Sequence, residues 1–60
     1  MMVKWRDEND SNKRHVKFTS GVLALCNGIM FFDDEAKQYY VPYSDLMLII
    51  DKTKEEYYYE

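Results

Sequence analysis

The chain is poor in the residues that usually crosslink a very small domain. Its 60 residues include one cysteine, Cys26, and one histidine, His15. A single cysteine excludes an internal disulfide, and one cysteine with one histidine falls short of the four ligands of a structural zinc site. Because a chain of this length buries only about 60% of its unfolded surface, we expect it to gain stability by association, as a homodimer or with an obligate partner.

Glycine and proline are scarce as well, with two residues and one residue, whereas 47% of the chain is hydrophobic and 17% is aromatic. This composition excludes a disordered linker and predicts one globular domain. The longest aliphatic run is too short to span a bilayer, and no signal-peptide apolar region is present. We therefore expect a protein of the cytoplasm (the host cytoplasm if the chain is viral) without membrane contact.

No group of residues indicates catalysis, a cofactor or a metal ion. Glycine-rich phosphate loops and nucleophile elbows are missing from the sequence. A catalytic Cys–His pair needs hydrogen-bond contact, and Cys26 follows an apolar run, where we expect a buried small hydrophobic side chain. The acids Asp33, Asp34 and Glu35 do not form a calcium-binding loop. We predict that the protein is not an enzyme and holds neither cofactor nor metal.

Charge is unevenly distributed along the chain. Residues 1–20 carry five basic and three acidic side chains, a net +2, and residues 21–60 carry three and eight, a net −5. This acidic body disfavours nucleic acid as a partner, because phosphate contacts need clustered lysine and arginine. The one basic cluster, at residues 13–17, is expected to be a solvated strand start, with contact to a phosphate or an acidic partner as the alternative.

Local patterning predicts short strands joined by tight turns. Residues 7–14 contain no apolar side chain and predict a loop or a flexible stretch, preceded at residues 2–5 by a short strand or a tail. Residues 15–19 alternate polar and apolar side chains, as a half-buried strand does. We therefore divide the chain into an N-terminal segment, residues 1–14, holding a short strand or a flexible stretch, and a single small β domain, residues 15–60.

Two sequence patterns predict hairpins, and they are the strongest local signals in the chain. Asn27 and Gly28 separate two apolar runs and predict a type I′ turn, whose two central residues need positive φ. A second pattern occurs twice, 18 residues apart, beginning at Phe31 and at Ile49. Each copy has two apolar residues, an aspartate, five polar or small residues and paired tyrosines. It predicts the same hairpin twice, with the aspartate accepting hydrogen bonds from loop N–H groups.

These elements predict an all-β fold, either a small antiparallel meander or an SH3-like barrel, with five or six short strands. The segment YYVPYS at residues 39–44, followed by Leu46 and Ile49, resembles the last strand pair of SH3-like and Sm-like barrels. There a strand ends at proline, a one-turn 3₁₀ link follows and a short strand closes the barrel. The resemblance implies an architecture and no activity. An α+β fold with a helix over residues 45–56, capped by Ser44, is the alternative.

Six tyrosines in 60 residues are the most unusual feature of the composition. Cross-strand aromatic pairs stabilise small sheets by about 0.2–1 kcal/mol each, and tyrosine and tryptophan are also favoured in protein interfaces. Sheet packing and a protein-binding surface therefore both stay open. The candidate partner-binding residues are Trp5, Tyr39, Tyr40, Tyr43, Tyr57, Tyr58, Tyr59, Asp33, Asp34 and Glu35.

A single domain of this size without enzyme motifs is typical of phage and mobile-element genes, many of which encode inhibitors. We therefore expect a small protein-binding module, an inhibitor that blocks a host protein, such as a defence protein, by stoichiometric binding. Two alternatives stay open. One is a nucleic-acid-binding small barrel that uses Lys13, Arg14 and Lys17, and the other is a dimer that sequesters a small ligand.

Overall fold

A computed structural model describes residues 1–51 and the backbone of residues 56–58, and every regular element within them is a β-strand. The strands are β1 (Met2–Arg6), β2 (Arg14–Phe18), β3 (Leu23–Ala24), β4 (Gly28–Phe32), β5 (Gln38–Pro42), β6 (Leu46–Ile50) and β7 (Glu56–Tyr58). They form two antiparallel sheets with the strand orders β2-β1-β6-β7 and β3-β4-β5. The predicted all-β class is confirmed, with seven strands instead of five or six. No helix in the described part of the chain is long and apolar enough to cross a bilayer.

The helix alternative for residues 45–56 is wrong wherever that segment is described. Leu46–Ile50 form strand β6, which pairs with β1 on one side and with β7 on the other. The run LMLII is apolar at every position, with Leu46 and Ile49 buried and the other three side chains half-buried. Pairing with two neighbouring strands decides the structure here, because leucine and methionine favour a helix whereas isoleucine favours a strand, and a short apolar run does not settle the choice.

Strand β1 lies inside the four-stranded sheet, between β2 and β6. Met2 is opposite Phe18 on one side and opposite Ile50 on the other. Val3, at the next position, is fully buried. The pairing of β1 with β6 joins the two ends of the described chain, so the fold is more closed than a meander in which only sequence neighbours pair.

The hydrophobic core lies between the two sheets and draws on both. Ile29 and Phe31 are two residues apart in β4 and therefore point to the same side of their sheet. The remaining core residues come from β1, β5 and β6. The fully or almost fully buried set is Val3, Ile29, Phe31, Val41, Leu46 and Ile49. Each sheet contributes one face to this core, so the inner face of each sheet is buried only by packing against the other sheet.

The repeated hairpin predicted from the sequence is present, and its register repeats as well. Phe31 lies opposite Tyr39 in the β4–β5 hairpin, and Ile49 lies opposite Tyr57 in the β6–β7 hairpin. Both members of the second pair follow their counterparts by 18 residues. The two copies belong to different sheets. The loop of the second copy, residues 52–55, lies outside the described residues.

The loop of the first hairpin is built on Asp33, as predicted. One carboxylate oxygen of Asp33 accepts hydrogen bonds from the backbone N–H groups of Glu35 and Lys37, both at 2.9 Å. The bond from Lys37 is the main reason why the pKa of Asp33 lies below its ordinary value. Ala36 has a φ of 62°, the only positive φ among the described residues other than glycine. The aspartate therefore holds a loop in which a non-glycine residue adopts the left-handed conformation.

The hairpin predicted at Asn27 and Gly28 also forms, but its turn lies one residue earlier. The N–H of Leu25 donates to the carbonyl of Gly28 at 2.8 Å, so the central residues are Cys26 and Asn27. Positive φ is absent from these residues and from Gly28, and the predicted type I′ turn is wrong. Cys26 is exposed, which also corrects the expectation of a buried thiol, because a central turn residue points its side chain to solvent.

Gly28 is needed for a different reason. It lies in β4 opposite Pro42 of β5. A Cβ at this position would come within 2.4 Å of the carbonyl oxygen of Val41 and within 2.9 Å of both the Pro42 Cα and the Tyr40 Cζ. The close approach of the neighbouring strand, and not the conformation of a turn, therefore excludes a side chain here.

The link between β5 and β6 has the form that the segment at residues 39–46 predicts. Strand β5 ends at Pro42, and β6 begins at Leu46. Two successive i→i+3 hydrogen bonds join them, from the N–H of Asp45 to the carbonyl of Pro42 at 3.0 Å and from the N–H of Leu46 to that of Tyr43 at 3.3 Å. This tight turn passes the chain from the three-stranded sheet to the four-stranded one.

Candidate functional site

Strand β2 is half-buried, as its alternation predicts, but its buried side is the polar one. His15 lies opposite Trp5, and Lys17 lies opposite the buried Val3, so both point toward the space between the sheets. Val16 and Phe18 point the other way and are 46% and 54% exposed. An alternating strand therefore presents its hydrophobic side chains to solvent.

The polar side of β2 is tolerated because each of its side chains has a specific neighbour. His15 stacks on Trp5 with 5.3 Å between ring centroids, and its Nε2 lies 2.7 Å from a carboxylate oxygen of Asp7. This hydrogen bond is the main cause of the lowered pKa of Asp7. The ammonium of Lys17 lies 5.7 Å from the ring centroid of Tyr39. These contacts fasten the loop after β1 and one end of the three-stranded sheet to β2.

Three of the candidate aromatic residues are engaged in internal packing. Trp5 and Tyr39 lie 5.7 Å apart between ring centroids, and both contact Phe31. The Tyr39 hydroxyl donates to a carboxylate oxygen of Asp33 at 3.2 Å. The Tyr43 hydroxyl donates to the carbonyl of Leu25 at 2.8 Å. The role of these residues in binding a partner stays a prediction, and their contacts place them in the framework of the fold.

The other candidates divide into exposed residues and residues without described side chains. Tyr40 is 52% exposed, and Asp34 and Glu35 are exposed in the β4–β5 loop. Tyr57 and Tyr58 belong to strand β7 by their backbone alone. Tyr59 lies outside the described residues.

Tyr40 belongs to an outward-facing group of hydrophobic side chains on the three-stranded sheet. It lies opposite Met30, which in turn lies opposite Leu23, so these three form one row across the sheet. Alternation along β4 adds Phe32 to the same side. Leu25 follows β3, and its N–H donates to the carbonyl of Gly28, so the pairing continues and Leu25 shares the side of Leu23. We call this group of five residues, Leu23, Leu25, Met30, Phe32 and Tyr40, the apolar face. Four of them are large hydrophobic side chains with 41–54% of their surface exposed.

A cleft of about 370 Å³ opens beside the apolar face, where the chain passes from β2 to β3. Leu23, Met30 and Phe32 line it together with Val22. At its base the hydroxyl of the buried Thr19 lies 2.7 Å from the carbonyl oxygen of Phe32. The apolar face is therefore not flat and has a recess beside it.

The loop that follows Phe32 of the apolar face is acidic. Asp34 and Glu35 lie two and three residues after the end of β4 and are exposed. The nearby ammonium of Lys37 lies 5.4 Å from the ring centroid of Tyr39 on the inner side. Among the described residues, no group of three or more histidine, cysteine, aspartate or glutamate side chains is placed to hold a metal ion.

No protein-family model matches the chain, and no curated protein or solved structure matches it either.

Sequence reasoning named only Tyr40 among the five members of the apolar face. The apolar runs at residues 22–26 and 29–32 predict a hairpin but do not indicate which of its two sides stays exposed. A hairpin that is apolar at successive positions has two apolar faces. The rest of a 60-residue chain forms only enough structure to cover one of these faces, so the other stays exposed. That surplus is the signal by which Leu23, Leu25 and Phe32 could have been found.

Proposed function

We propose that the protein is a small non-enzymatic binding module whose apolar face docks on another protein. The observation that supports this proposal is the clustering of Leu23, Leu25, Phe32 and Tyr40 on one side of one sheet, each with 41–54% of its surface exposed. Single exposed hydrophobic residues are normal on protein surfaces, whereas contiguous groups are typical of interaction sites. The recess beside Leu23 gives this surface a place for an anchoring side chain of the partner.

The charges around the apolar face define the chemistry of the partner. Asp34 and Glu35 are exposed in the loop that follows Phe32, and no described side chain pairs with either carboxylate. A partner surface with an apolar centre and a basic rim complements this arrangement. Acidic residues at the rim accelerate association with such a surface and disfavour acidic competitors.

We further propose that binding is stoichiometric and that it blocks the partner's own site, as inhibitors from phages and mobile elements do in the cytoplasm of their hosts. The small size of the chain supports this mode of action. So does the content of the apolar face, in which the Tyr40 hydroxyl is the one titratable group. A surface of leucine, methionine and aromatic side chains is suited to covering a site and not to chemistry.

The test is affinity capture from host lysate with matched surface variants, followed by calorimetry with the purified partner. We expect one protein to be retained by the wild type with a stoichiometry of one partner per chain, and to be lost with Leu23→Asp or Phe32→Asp. Each substitution should weaken binding at least about 30-fold, the size expected of a central interface residue.

The control is Phe18→Asp, which introduces the same charge at a side chain as exposed as Leu23, both at 54%, but on the other sheet. It should leave the one-to-one affinity for the purified partner, measured by calorimetry in solution, unchanged. Equal capture by the wild type and by both apolar-face variants would refute the proposal, and so would equal loss in all three variants.

A further inference from the structure

A second surface, distinct from the apolar face, is the outer edge of strand β2. The N–H of Thr19 donates to the carbonyl of Met1 at 2.9 Å, and the N–H of Asp7 donates to that of Lys13 at 3.0 Å. In an antiparallel pair the residues that bond the neighbouring strand alternate along the chain. The odd-numbered residues of β2 therefore bond β1, and Arg14, Val16 and Phe18 direct their backbone N–H and C=O groups away from it.

Nothing in the described chain pairs with this edge. β2 is the outermost strand of its sheet, and no described residue hydrogen-bonds the backbone of Val16 or Phe18 on the outer side. Sheet edges are usually protected by proline, a bulge, an inward-pointing charge or a covering loop. β2 has five residues in regular register with β1 and no proline. Its one inward-pointing lysine, Lys17, lies 5.7 Å from the ring centroid of Tyr39 between the sheets. It leaves the outer backbone groups of Val16 and Phe18 uncovered, and both of these side chains are hydrophobic and exposed. The outer edge of β2 can therefore pair with another strand.

We infer that β2 pairs with β2 of a second copy, antiparallel, with a twofold axis at Val16. In this register Val16 lies opposite Val16 of the partner subunit, and Arg14 lies opposite Phe18 of the partner subunit. All of these are outward-directed residues, so each pair exchanges two backbone hydrogen bonds. A register one residue away would place two Lys17 or two His15 side chains face to face and would lose one of the bonded pairs.

The charge pattern identifies a second copy as the occupant. A cleft of about 250 Å³ lies between β2 and the β4–β5 loop, lined by Val16, Lys17, Phe18, Asp33, Asp34 and Glu35. In the register centred on Val16, the partner's Lys13 comes opposite Thr19. Its odd position places it on the inner side of the strand, which is the side of the acidic loop. Asp34 and Glu35 thus face Lys13 of the partner subunit.

The twofold axis repeats this contact at the other end of the strand pair. The chain carries the basic half of the contact at the start of β2 and the acidic half in the β4–β5 loop. One sequence therefore carries both the basic and the acidic residues of this contact, and two copies of the chain can pair these charges without a different protein. Pairing through one five-residue edge buries a small area, so we expect a dissociation constant on the order of 10 μM.

The test uses charge reversal in two variants, Lys13→Glu and Glu35→Lys, studied by sedimentation equilibrium over about 1–500 μM chain. Each variant alone brings like charges together at both ends of the strand pair, and we expect its self-association to be about tenfold weaker than that of the wild type. Mixed in equal amounts, the two variants meet with opposite charges at both ends. The mixture should therefore dimerise within about twofold of the wild type.

Recovery in the mixture separates specific pairing from a general effect of charge on solubility or folding. Val16→Pro is an independent second variant, because it removes an N–H that the chain's own sheet does not use. It should abolish the dimer while circular dichroism retains the β spectrum. A wild type that stays monomeric throughout the concentration range overturns the inference, and so do variants that dimerise like the wild type or a mixture without recovery.

The inference and the proposed function fail separately. Leu23→Asp should lose the captured protein and keep the dimer, because the apolar face and the β2 edge belong to different sheets. Lys13→Glu should weaken the dimer and still bind the purified partner one to one.

Discussion

Replacing Gly28 with alanine should destabilise the fold through a collision and not through backbone strain. The added Cβ would meet the carbonyl oxygen of Val41 at 2.4 Å and the Pro42 Cα at 2.9 Å. Both are backbone atoms of a paired strand, so they cannot rotate aside. The Tyr40 Cζ, also at 2.9 Å, belongs to a side chain that is half exposed and free to move.

Overpacking of this kind costs about 1–3 kcal/mol, and two backbone collisions place Gly28→Ala near the upper end, at about 3 kcal/mol. A domain of this length has a free energy of unfolding of about 3–9 kcal/mol in total. The substitution therefore removes a third or more of the stability. Because 1 kcal/mol corresponds to about 4–8 °C in a domain of 60–100 residues, the Tm should fall by about 12–24 °C.

The measurement is thermal and urea unfolding, followed by circular dichroism and by the fluorescence of the single tryptophan, Trp5. Gly21→Ala is the matched control, because a Cβ there has nothing within 4 Å and no positive φ. It should be neutral or raise the free energy of unfolding by about 0.4–1 kcal/mol through the unfolded state.

A third variant, Gly28→Asn, decides between collision and turn conformation. Asparagine tolerates positive φ, so it would be better than alanine if Gly28 were a turn residue. Since its side chain is larger, the collision predicts that it is as bad or worse. Gly28→Asn more stable than Gly28→Ala, or Gly28→Ala within about 0.5 kcal/mol of the wild type, would refute the reasoning.

Two further outcomes follow from hydrogen bonds of the described residues. Thr19→Val should lower the free energy of unfolding by about 1–3 kcal/mol in urea titrations, because it leaves the carbonyl of Phe32 without its buried donor, and Thr19→Ser should recover most of that loss. Asp7 and Asp33 have a pKa below the ordinary value in the folded state. They therefore stabilise the fold above the unfolded-state pKa, and this stabilisation is lost as the pH falls through the folded-state pKa. Unfolding titrations from pH 6 to about pH 2 should show a smaller loss of stability in Asp7→Asn and Asp33→Asn than in the wild type, and equal pH slopes in all three would contradict the assignment.

The features that local sequence determines were predictable. The two hairpins that begin at Phe31 and Ile49 share their register because each is specified within about ten residues, by an aspartate, a loop length and a cross-strand aromatic position. Strand β6 was predicted on the same evidence, since a triple tyrosine needs a neighbouring strand. The bonds that Asp33 makes to its own loop are equally local.

The features that depend on distant neighbours were not predictable in the same way. The alternation of polar and apolar residues in β2 predicts a strand with one buried side, but it does not predict which of the two sides is buried. Which side is buried depends on Asp7 and Tyr39, which accommodate His15 and Lys17 from other parts of the chain. The position of the turn near Gly28 likewise depends on the approach of β5. An asparagine followed by a glycine looks the same in the sequence whether the glycine is needed for the turn or for the close contact with the neighbouring strand.

The two proposed surfaces have a geometric consequence when they are taken together. In the inferred dimer the twofold axis at Val16 is perpendicular to the joined four-stranded sheets, because antiparallel strands in one sheet are related by such an axis. The three-stranded sheets then lie on the same side of the joined sheet, and both apolar faces point in the same direction. A partner with two copies of its site on one surface would be held at two points, and the second contact would be intramolecular. Monomeric partners gain nothing from this arrangement, so Lys13→Glu should reduce the apparent affinity for an oligomeric or surface-immobilised partner and leave one-to-one binding in solution unchanged. Equal losses in the two formats would show that the β2 edge contacts the partner directly and does not join two copies of this chain.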